Sequence, residues 1–410
     1  MYFEESQSSK HKNIFCIRTS VTIVCSFLIM LFGLGTQSIF GIFFAPILNE
    51  LGWTRAMLSG AFSVSWIISG LMGIVMGALC DKYGSRGILT ACGILLGAGF
   101  ALMHQLASVW QFYLVYGVII GIGISGIWVP VMSTIARNFV EKRSIVTAIA
   151  MTGSGIGSLA APPVSNWLIA NYDWRTAYFI IGITIFVVVT TSAQFVETGK
   201  RPIRIKTPEQ SEAIRARGIS LTHSLTTTQF WLLLIMVFCF GFCAYTVIVH
   251  LVPHALYIGI NSSTAANILA VSGGVAIIGR LGLGAVSRRI SNKAVCIIGF
   301  PLMAISSFGF IFTEDVGILF LLSALFGFGF GLGVIISPFV AEIFGLKSHG
   351  AILGIIVLGY STGSAVGPLL AGNIFDIYNS YQLAFILNAA IACIGLLLSF
   401  LIKPILVPRE

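Results

Sequence analysis

The sequence predicts an all-α membrane protein with twelve transmembrane helices arranged as two related halves of six. Hydrophobic residues make up 57% of the 410 residues and charged residues only 9%, and the mean hydropathy is +0.98. Charged residues usually occupy roughly a quarter of a soluble chain. This composition excludes an ordinary soluble domain, and the number of apolar runs and their repetition along the chain define the architecture.

Twelve apolar runs are long enough to cross about 30 Å of hydrocarbon as helices. They cover approximately residues 19–46, 57–80, 87–107, 110–136, 144–169, 175–196, 228–252, 264–287, 293–313, 316–341, 350–372 and 381–403. Pro162 and Pro163 are expected to break helix five, and Pro130 helix four, whereas the glycine runs Gly121–Gly126 and Phe326–Gly333 are expected to be packing faces and bending points.

The basic residues predict the orientation, because Lys and Arg accumulate in cytoplasmic loops. With the N-terminus inside, 20 of the 23 Lys and Arg residues fall on the cytoplasmic side. The two outer loops that carry a basic residue hold only Arg55 and Arg175. Both termini are therefore expected in the cytoplasm. Because the basic residues lie in short loops rather than on one folded face, the net charge of +9 does not indicate nucleic-acid binding.

A hydrophilic stretch separates two six-helix halves, so the predicted organisation is 1–196, a cytoplasmic central loop 197–227, and 228–410. The halves are related in sequence, which is typical of transporters built from repeats. Four residues of helix five recur 206 positions later in helix eleven. These are Gly153, Gly157, Ser158 and Pro162, matched by Gly359, Gly363, Ser364 and Pro368.

Arg280 is the one formal charge predicted within the membrane, in helix eight. An arginine at mid-helix costs about 2.5 to 3.5 kcal/mol on insertion scales, so it is expected to face a watery cavity and to hold an anion. No predicted span contains an acidic side chain that could pair with it. The pattern indicates an anionic substrate.

The loop after helix two contains Gly77, Asp81, Lys82, Gly84 and Arg86, and it resembles the cytoplasmic loop motif of the major facilitator superfamily. The resemblance covers the whole chain and implies the major facilitator fold. It also implies that this loop is a conformational latch in one of two alternating states.

A narrower resemblance is to the monocarboxylate porter family and its bacterial oxalate and formate antiporter-like relatives. It rests on Phe139, Lys142, Arg143 and Gly153 around helices four and five, on Trp53-Thr54-Arg55 after helix one, and on the stretch from His250 to Pro253. The resemblance implies that Arg280 is the substrate-binding arginine of helix eight. The planar fork of an arginine suits a carboxylate, which it binds bidentately.

Departures from the family refine the expected substrate. Animal members of the family carry an acidic residue early in helix one and an aspartate four residues before the substrate-binding arginine. Here helix one has no acidic residue, and position 276 is Ala276. Helix eleven also lacks the lysine with which oxalate exchangers of the family hold a second carboxylate. One buried cation favours a monocarboxylate such as lactate or pyruvate. Arg280 cannot release a proton, so His250 is the candidate proton carrier, with a hydrogen-bonded histidine at a helix end as the equal alternative.

Other polar groups are expected to complete the cavity, since substrate sites of such folds lie near the repeat interface. The candidates are Gln37, Tyr116, Tyr245, Tyr360 and Ser361. Each has the alternative role of a polar contact between helices.

The glycine motifs at 121–126 and 359–363 match enzyme fingerprints but lie in apolar helices without a preceding strand, so an enzyme is not expected. The cysteines have no metal-ligand spacing, and neither a metal nor another cofactor is expected. The expected partners are a small carboxylate, the lipid bilayer and protons as a candidate coupling ion, without nucleic acid and with a monomer as the functional unit. The alternatives are a proton-driven exporter or an exchanger of dicarboxylates, aromatic acids, siderophores or drugs. The short loops and tails favour a bacterial inner membrane.

Overall fold

The computed structural model describes residues 20–139, 143–196, 219–345 and 347–403. Twelve long helices make up nearly all of this part of the chain, which confirms the all-α class. Their bounds are α1 Ser20–Leu51, α2 Arg55–Tyr83, α3 Ser85–Leu102, α4 109–138, α5 Arg143–Asn171, α6 Trp174–Phe195, α7 Thr228–Tyr257, α8 Ser262–Arg289, α9 Asn292–Gly309, α10 Val316–Phe344, α11 His349–Tyr378 and α12 Gln382–Leu401. Most of the predicted central loop lies outside the described residues.

Eleven of these helices are long and apolar enough to cross a membrane. The remaining helix, α5, has 29 residues, which exceeds the 20 or so that a crossing needs. It is not one of the eleven, and glycine, serine, threonine and proline fill much of its length. Multiple membrane crossings are therefore confirmed, whereas the count of twelve and the cytoplasmic position of the termini stay predictions.

Three helices carry local irregularities. A 3-10 segment interrupts α1 at Gly35–Ile39 and another interrupts α10 at Gly331–Ile335, and α4 has a π-helical stretch at Tyr113–Ile120. Gly126 of α4 also departs from helical geometry, with φ −97° and ψ 15°. The expected bends in the glycine runs of α4 and α10 are thus confirmed.

The expected break at proline is wrong for α5, which continues through Pro162 and Pro163. In α4 the kink at Gly126 lies four residues before Pro130, the position at which a proline disturbs a helix, so the expected break of helix four is confirmed as a kink. A proline removes one backbone donor, and neighbouring helices and side chains can satisfy the carbonyl that it frees.

One helix pair is repeated in the two halves. Gly157 of α5 lies against the backbone of Leu31 in α1, and Gly363 of α11 lies against the backbone of Phe238 in α7. Positions 157 and 363 are 206 residues apart, and positions 31 and 238 are 207 apart. The sequence repeat therefore corresponds to a repeated packing of backbone on backbone, which glycine permits because it has no Cβ.

The two halves contact each other through the pairs α1–α7, α2–α11 and α5–α8. We call the side that holds the α2–α3 turn the inner side and the opposite side the outer side, following the predicted orientation. In the pair α2–α11, Gly70 packs on Ser361, and Gly372 packs on Ser59 and the backbone of Arg55. These contacts occupy the middle and outer parts of both helices.

Toward the inner side the glycines of the same two helices have open space beside them. A Cβ added at Gly73 of α2, or at Gly350 or Gly354 of α11, would meet no atom within 4 Å among the described residues. The close glycine contacts between α2 and α11 thus lie in their middle and outer parts.

Candidate substrate site

Arg280 lies near the middle of α8, between α5 and α10. Gly279 packs against the backbone of Phe328 in α10, and Gly331 of α10 packs against the backbone at Gly279 and Arg280. On the other face of α8, Gly273 packs on Ser158 of α5. Small residues on three helices bring the backbones close together, which fixes the position from which the arginine side chain extends.

The guanidinium of Arg280 has few partners. Its Nη1 donates a hydrogen bond of 3.1 Å to Ser154 Oγ in α5, and its Cζ lies 5.7 Å from the centre of the Phe330 ring. The one ion pair among the side chains that the structure describes joins Arg175 to Glu50, at 2.8 Å. No described carboxylate therefore neutralises Arg280, as the sequence predicted, and its side chain remains partly exposed.

A cavity of about 30 Å³ adjoins Arg280. Its polar lining comes from Ser38 of α1, Ser158 of α5 and Ser272 of α8, and Phe326 and Phe330 of α10 form an apolar side. By this measure a water molecule occupies roughly 10 to 15 Å³, so the cavity fits about two waters.

An aromatic wall stands beside Arg280 at the boundary between the halves. The ring centroid of Tyr245 in α7 lies 4.4 Å from Trp66 in α2 and 6.2 Å from Tyr360 in α11. Tyr360 in turn lies 5.4 Å from Phe240. Phe240 lies 5.7 Å from Phe330, the ring beside the Arg280 guanidinium, so this chain of ring contacts brings the predicted site residues Tyr245 and Tyr360 near the arginine.

Gln37 joins this group. It lies in the 3-10 segment of α1, and its Oε1 accepts a hydrogen bond of 3.0 Å from the hydroxyl of Tyr245. The side chain is buried, and its Nε2 has no hydrogen-bond partner among the described residues. Gln37 directly precedes Ser38, which lines the cavity, and thus approaches the site from α1.

Two further predicted site residues have mainly packing contacts. Tyr116 is buried in an aromatic cluster of the first half, 4.9 Å from Phe40 and 5.5 Å from Phe112 between ring centroids. Ser361 is buried against Gly70 of α2. Neither residue lines the cavity at Arg280, and the same is true of Gln37, Tyr245 and Tyr360.

His250 lies in the contact between the halves on the outer side. Its Nε2 is 2.9 Å from the carbonyl oxygen of Pro368 and its Nδ1 is 3.3 Å from the hydroxyl oxygen of Tyr381. Because a carbonyl only accepts, Nε2 carries a proton and Nδ1 accepts from the tyrosine. The structure therefore places His250 in a hydrogen-bonded seal, and it is not among the residues that line the Arg280 cavity.

The same seal contains a carboxylate from α11. Asp376 accepts hydrogen bonds from the backbone N–H groups of Arg55 and Ala56, at 3.0 and 2.7 Å, at the start of α2. The guanidinium of Arg55 donates to the Tyr381 hydroxyl at 3.1 Å and lies 3.8 Å from the centre of the Phe375 ring. We call Arg55, His250, Asp376 and Tyr381 the outer seal.

The predicted latch residues lie at the inner end of α2. Gly84 has φ +85°, a conformation that favours glycine, and it forms the tight turn into α3. Arg86 donates to the carbonyl oxygen of Val196 at 3.3 Å, and Lys82 lies over the Tyr83 ring at 5.1 Å. A Cβ at Gly77 would lie 3.6 Å from Val129. The side chain of Asp81 lies outside what the structure describes.

The four residues of the family motif surround the turn from α4 to α5. Phe139 is buried at the end of α4, and Gly153 packs on the backbone of Phe27 in α1. Lys142 and the side chain of Arg143 lie outside the described part of the chain. The motif residues that can be placed serve helix packing.

Ser154 is the site residue that sequence reasoning missed. It follows Gly153 of the repeated motif, and its equivalent in α11 is Tyr360, 206 positions later. Both residues reach the surroundings of Arg280. The repeat offset would have predicted Ser154 from Tyr360, because equivalent positions of the two halves face the same central space.

The fold and the site together define a membrane transport protein: two repeated helical halves enclose a charged central site. The chain belongs to the Major Facilitator Superfamily, whose sequence profile it matches over residues 25–340 and 313–410. Members of this family are transporters, and the expectation that the chain is not an enzyme is thereby confirmed.

The resemblance to the monocarboxylate porter family is confirmed by similar proteins. Monocarboxylate transporter 12 of Homo sapiens is 27% identical over 330 residues, which cover 72% of this chain and 63% of that protein, so the match spans less than two thirds of its length. Monocarboxylate transporter 13 of Rattus norvegicus is 25% identical, with 88% and 83% covered. The uncharacterized MFS-type transporter YhjX of Escherichia coli (strain K12) is 24% identical, with 85% and 86% covered.

Solved structures show the same fold. A bacterial homolog of the human lysosomal transporter Spinster, in an inward-facing and unoccupied conformation, superposes with a TM-score of 0.78 at 16% identity. The match covers 94% of this chain and 96% of that one. The nucleoside transporter NupG gives a TM-score of 0.75 at 13% identity, with 94% and 99% covered.

Proposed function

We propose that this protein is a secondary active transporter of small organic anions, and that its substrate is a monocarboxylate of the size of lactate or pyruvate. The proposal rests above all on Arg280, a charged side chain inside the bundle for which no described carboxylate is a partner. A charge in such a position is retained for a function, because it costs free energy in the membrane. A substrate carboxylate supplies the missing negative charge.

The number of cations favours one carboxylate. Arg280 is the one basic residue of the described spans that faces the central site, and α11 has no lysine between Gly350 and Gly372. The fork of Arg280 still has donors to offer a carboxylate, since its hydrogen bond to a described residue uses only Nη1, which donates to Ser154. The relatives named as monocarboxylate transporters support the same substrate class.

Transport proceeds by rocking of the two halves around the bound anion. In the conformation described here the outer seal is closed, and the glycines toward the inner ends of α2 and α11 have open space beside them. When the substrate neutralises Arg280, the site becomes easier to enclose away from water, which lowers the barrier to the opposite arrangement. The loop with Asp81 and Arg86 then latches the inner side.

The coupling ion is a separate matter from the substrate site. His250 stays a predicted proton carrier, but its hydrogen bonds to Pro368 and Tyr381 give it a role in closing the outer side. Protonation of Nδ1 would remove the acceptor that the Tyr381 hydroxyl uses. A proton that travels with the substrate would therefore act on the outer seal rather than on Arg280.

Uptake into proteoliposomes tests the proposal. Radiolabelled lactate and pyruvate are offered to the wild type, Arg280→Lys and Arg280→Ala, with and without an inward proton gradient. We expect Arg280→Ala to abolish saturable uptake and Arg280→Lys to retain a weakened uptake, because lysine keeps the charge but loses the fork. Full activity of Arg280→Ala would overturn the proposal, and dependence on the gradient would identify proton symport.

The aromatic wall supports one alternative, an exchanger of larger or aromatic acids. Trp66, Tyr245 and Tyr360 offer ring faces next to Arg280, on which a flat substrate could stack. Competition of lactate uptake by benzoate and by a dicarboxylate distinguishes these substrates. A proton-driven exporter in a bacterial inner membrane would instead show efflux that requires the gradient.

A further inference from the structure

We propose that a groove between α3 and α6, on the outside of the first half, binds one phospholipid. An acyl chain fills the groove, and a zwitterionic headgroup that carries an ammonium group lies at its outer end. The groove has a volume of about 320 Å³, compared with about 30 Å³ for the cavity at Arg280. The inference concerns a second binding site and does not depend on the transported substrate.

The two helices contribute residues of different size to the groove. Small residues come from α3 and large apolar residues from α6. The first set is Gly97, Ala98 and Ala101, and the second set is Phe179, Ile183 and Phe186. The two backbones are in close contact, because Gly97 packs on the backbone of Phe186 and Gly182 packs on that of Ala101. Close backbones beside large side chains leave a slot along the helix pair.

The groove faces the lipid. Its lining among the described residues comes entirely from α3, α6 and the 3-10 turn Met103–Gln105 that follows α3. Phe179 and Ile183 are 46% and 44% exposed, and both helices are long and apolar enough to cross a membrane. Acyl chains cover such a surface, and van der Waals packing decides how tightly one of them is held.

The length of the groove suits an acyl chain that is anchored at one end. From Phe179 to Phe186 the helix advances seven residues, which is about 10 Å at 1.5 Å per residue. This is about two thirds of the hydrocarbon thickness of one leaflet, but only about a third of a complete crossing. A transmembrane helix of a partner would need a contact along the whole crossing.

Two polar side chains lie at the outer end of the groove. His104 and Gln105 are both exposed, and each can donate an N–H to a phosphate oxygen. Arg175 holds the turn that carries them against the start of α6, since its Nη1 donates to the carbonyl oxygens of His104 and Leu106 at 3.1 and 2.6 Å. The donors therefore lie where α3 ends and α6 begins, which is where apolar spans reach the headgroups.

The charges at this end favour a zwitterionic headgroup over an anionic one. Arg175 pairs with Glu50 at 2.8 Å, so these two charges cancel. Asp173 caps α6, and the hydrogen bonds from Thr176, together with the nearby His104, lower the pKa of Asp173. Its negative charge attracts the ammonium group of phosphatidylethanolamine. The phosphate of the same lipid then lies at the polar end of the groove.

The second half fills the equivalent place with larger apolar residues. Helix α9, like α3, has 18 residues, and it starts 207 positions later. At this offset Ala101 corresponds to Phe308, and the two polar residues of the turn correspond to Ile311 and Phe312. The ring centroids of Phe308 and Phe312 lie 5.0 Å apart. The small residue and the polar end are thus particular to the first half and do not follow from the repeated architecture.

The first test measures lipid retention. The full-length protein is purified in a mild detergent, phosphatidylethanolamine is added, and native mass spectrometry gives the fraction of protein that keeps one lipid. Ala101→Phe places a ring in the groove and is expected to lower this fraction about tenfold. Phe308 at the equivalent position is 52% exposed, so the second half accommodates a phenylalanine there. Ala390→Phe, at the exposed position of α12 that corresponds to Ile183, is the matched control and is expected to retain the lipid as the wild type does.

The second test concerns the headgroup. Phosphatidylglycerol with the same acyl chains has a net negative charge, and the wild type is expected to retain phosphatidylethanolamine about threefold better. Asp173→Asn removes the charge and keeps the cap, because asparagine caps a helix as well as aspartate does. This variant is expected to stay folded and to retain the two lipids about equally.

Each contrary result overturns a defined part of the proposal. A wild type that holds further lipids as well as the first carries adventitious lipid only, and equal retention by the wild type and Ala101→Phe likewise overturns the site. A wild-type dimer that Ala101→Phe converts to a monomer would assign the groove to a second copy of the chain instead of a lipid. Equal retention of the two lipids by the wild type would contradict the zwitterionic headgroup.

Discussion

Ser154 shows how a neutral side chain supports a charged one. Its hydroxyl accepts the hydrogen bond from Arg280 Nη1 and is itself buried, and it donates a second bond of 2.8 Å to the carbonyl oxygen of Met151. The guanidinium is thereby held on the α5 side of the site. With one nitrogen fixed, the orientation of the whole planar fork is restricted.

Removing that hydroxyl is expected to weaken substrate binding. A hydrogen bond to a charged group contributes about 1.5 to 3 kcal/mol, part of which is lost when Arg280 is no longer oriented. Ser154→Ala should raise the KM for lactate about tenfold with little change in the maximal rate. Ser154→Thr keeps the hydroxyl, so its KM should stay close to that of the wild type. Ser165→Ala, at another buried serine of α5, is the control. An unchanged KM in Ser154→Ala would contradict the role of Ser154.

The sequence made Arg280 predictable, because a lone charge in an apolar helix is conspicuous without any structure. His250 was harder to place, since its neighbours Ser59, Pro368 and Tyr381 are more than a hundred residues away along the chain. A histidine that titrates near neutral pH in water suggests proton transfer, but only the packed partners show that it seals an interface. Long-range contacts of this kind leave no local pattern.

Glycine on helix faces determines how closely neighbouring helices approach. A Cβ at Gly157 would lie 2.7 Å from the Cα of Gly35, and a Cβ at Gly363 would lie 2.9 Å from the backbone nitrogen of Phe242. Real Cβ atoms do not approach so closely, so the helices would have to move apart. The contact α5–α1 and its repeat α11–α7 depend on these two positions.

Gly157→Ala and Gly363→Ala are each expected to lower the stability of the protein by about 1 to 3 kcal/mol, the usual cost of overpacking. Gly350→Ala is the matched control, since nothing described lies within 4 Å of its added Cβ, and alanine is the better helix former. Thermal unfolding in detergent compares the three variants. Equal midpoints for Gly157→Ala and Gly350→Ala would mean that the close contact is unimportant.

The apolar runs predicted the existence of all twelve long helices, but not their ends. Helix α11 continues to Tyr378, beyond the predicted 372, and ends where Asn379 adopts the left-handed conformation, with φ 50°. Hydropathy detects the part of a helix that lipid surrounds. Asp376 belongs to the projecting part, where it contacts α2, and hydropathy alone gives no sign of this role.

For the complete bundle, the outer seal is the element that must open for transport. Its hydrogen bonds run from the start of α2 to Asp376 and from Arg55 through Tyr381 to His250, so they connect the first half to the second. A carboxylate at a helix N-terminus is stabilised by the unpaired N–H groups and the helix dipole. Breaking this contact is part of the barrier to outward opening.

Asp376→Asn is expected to favour opening on the outer side, because the amide is a weaker acceptor for the two N–H groups of α2. A change of about 1 kcal/mol would shift the two conformations roughly fivefold. The measurement is labelling of Thr246→Cys, a buried position below His250 on α7, by an impermeant thiol reagent in a background with Cys393→Ser. Asp315→Asn, a capping carboxylate of α10 away from the seal, is the control. Equal labelling rates in the two variants would contradict the seal.

Arg280 also determines how voltage acts on the carrier. With the proposed substrate, the site has one positive charge when empty and is neutral when a monocarboxylate is bound. Moving one elementary charge through the membrane field changes the free energy by about 2.3 kcal/mol per 100 mV. The field therefore acts on the reorientation of the empty carrier and leaves that of the loaded one unaffected. One-for-one exchange of monocarboxylates is then electrically silent, because only the neutral, loaded site reorients. Net uptake without a proton also requires the positively charged empty site to return to the outside, and an inside-negative potential opposes that step.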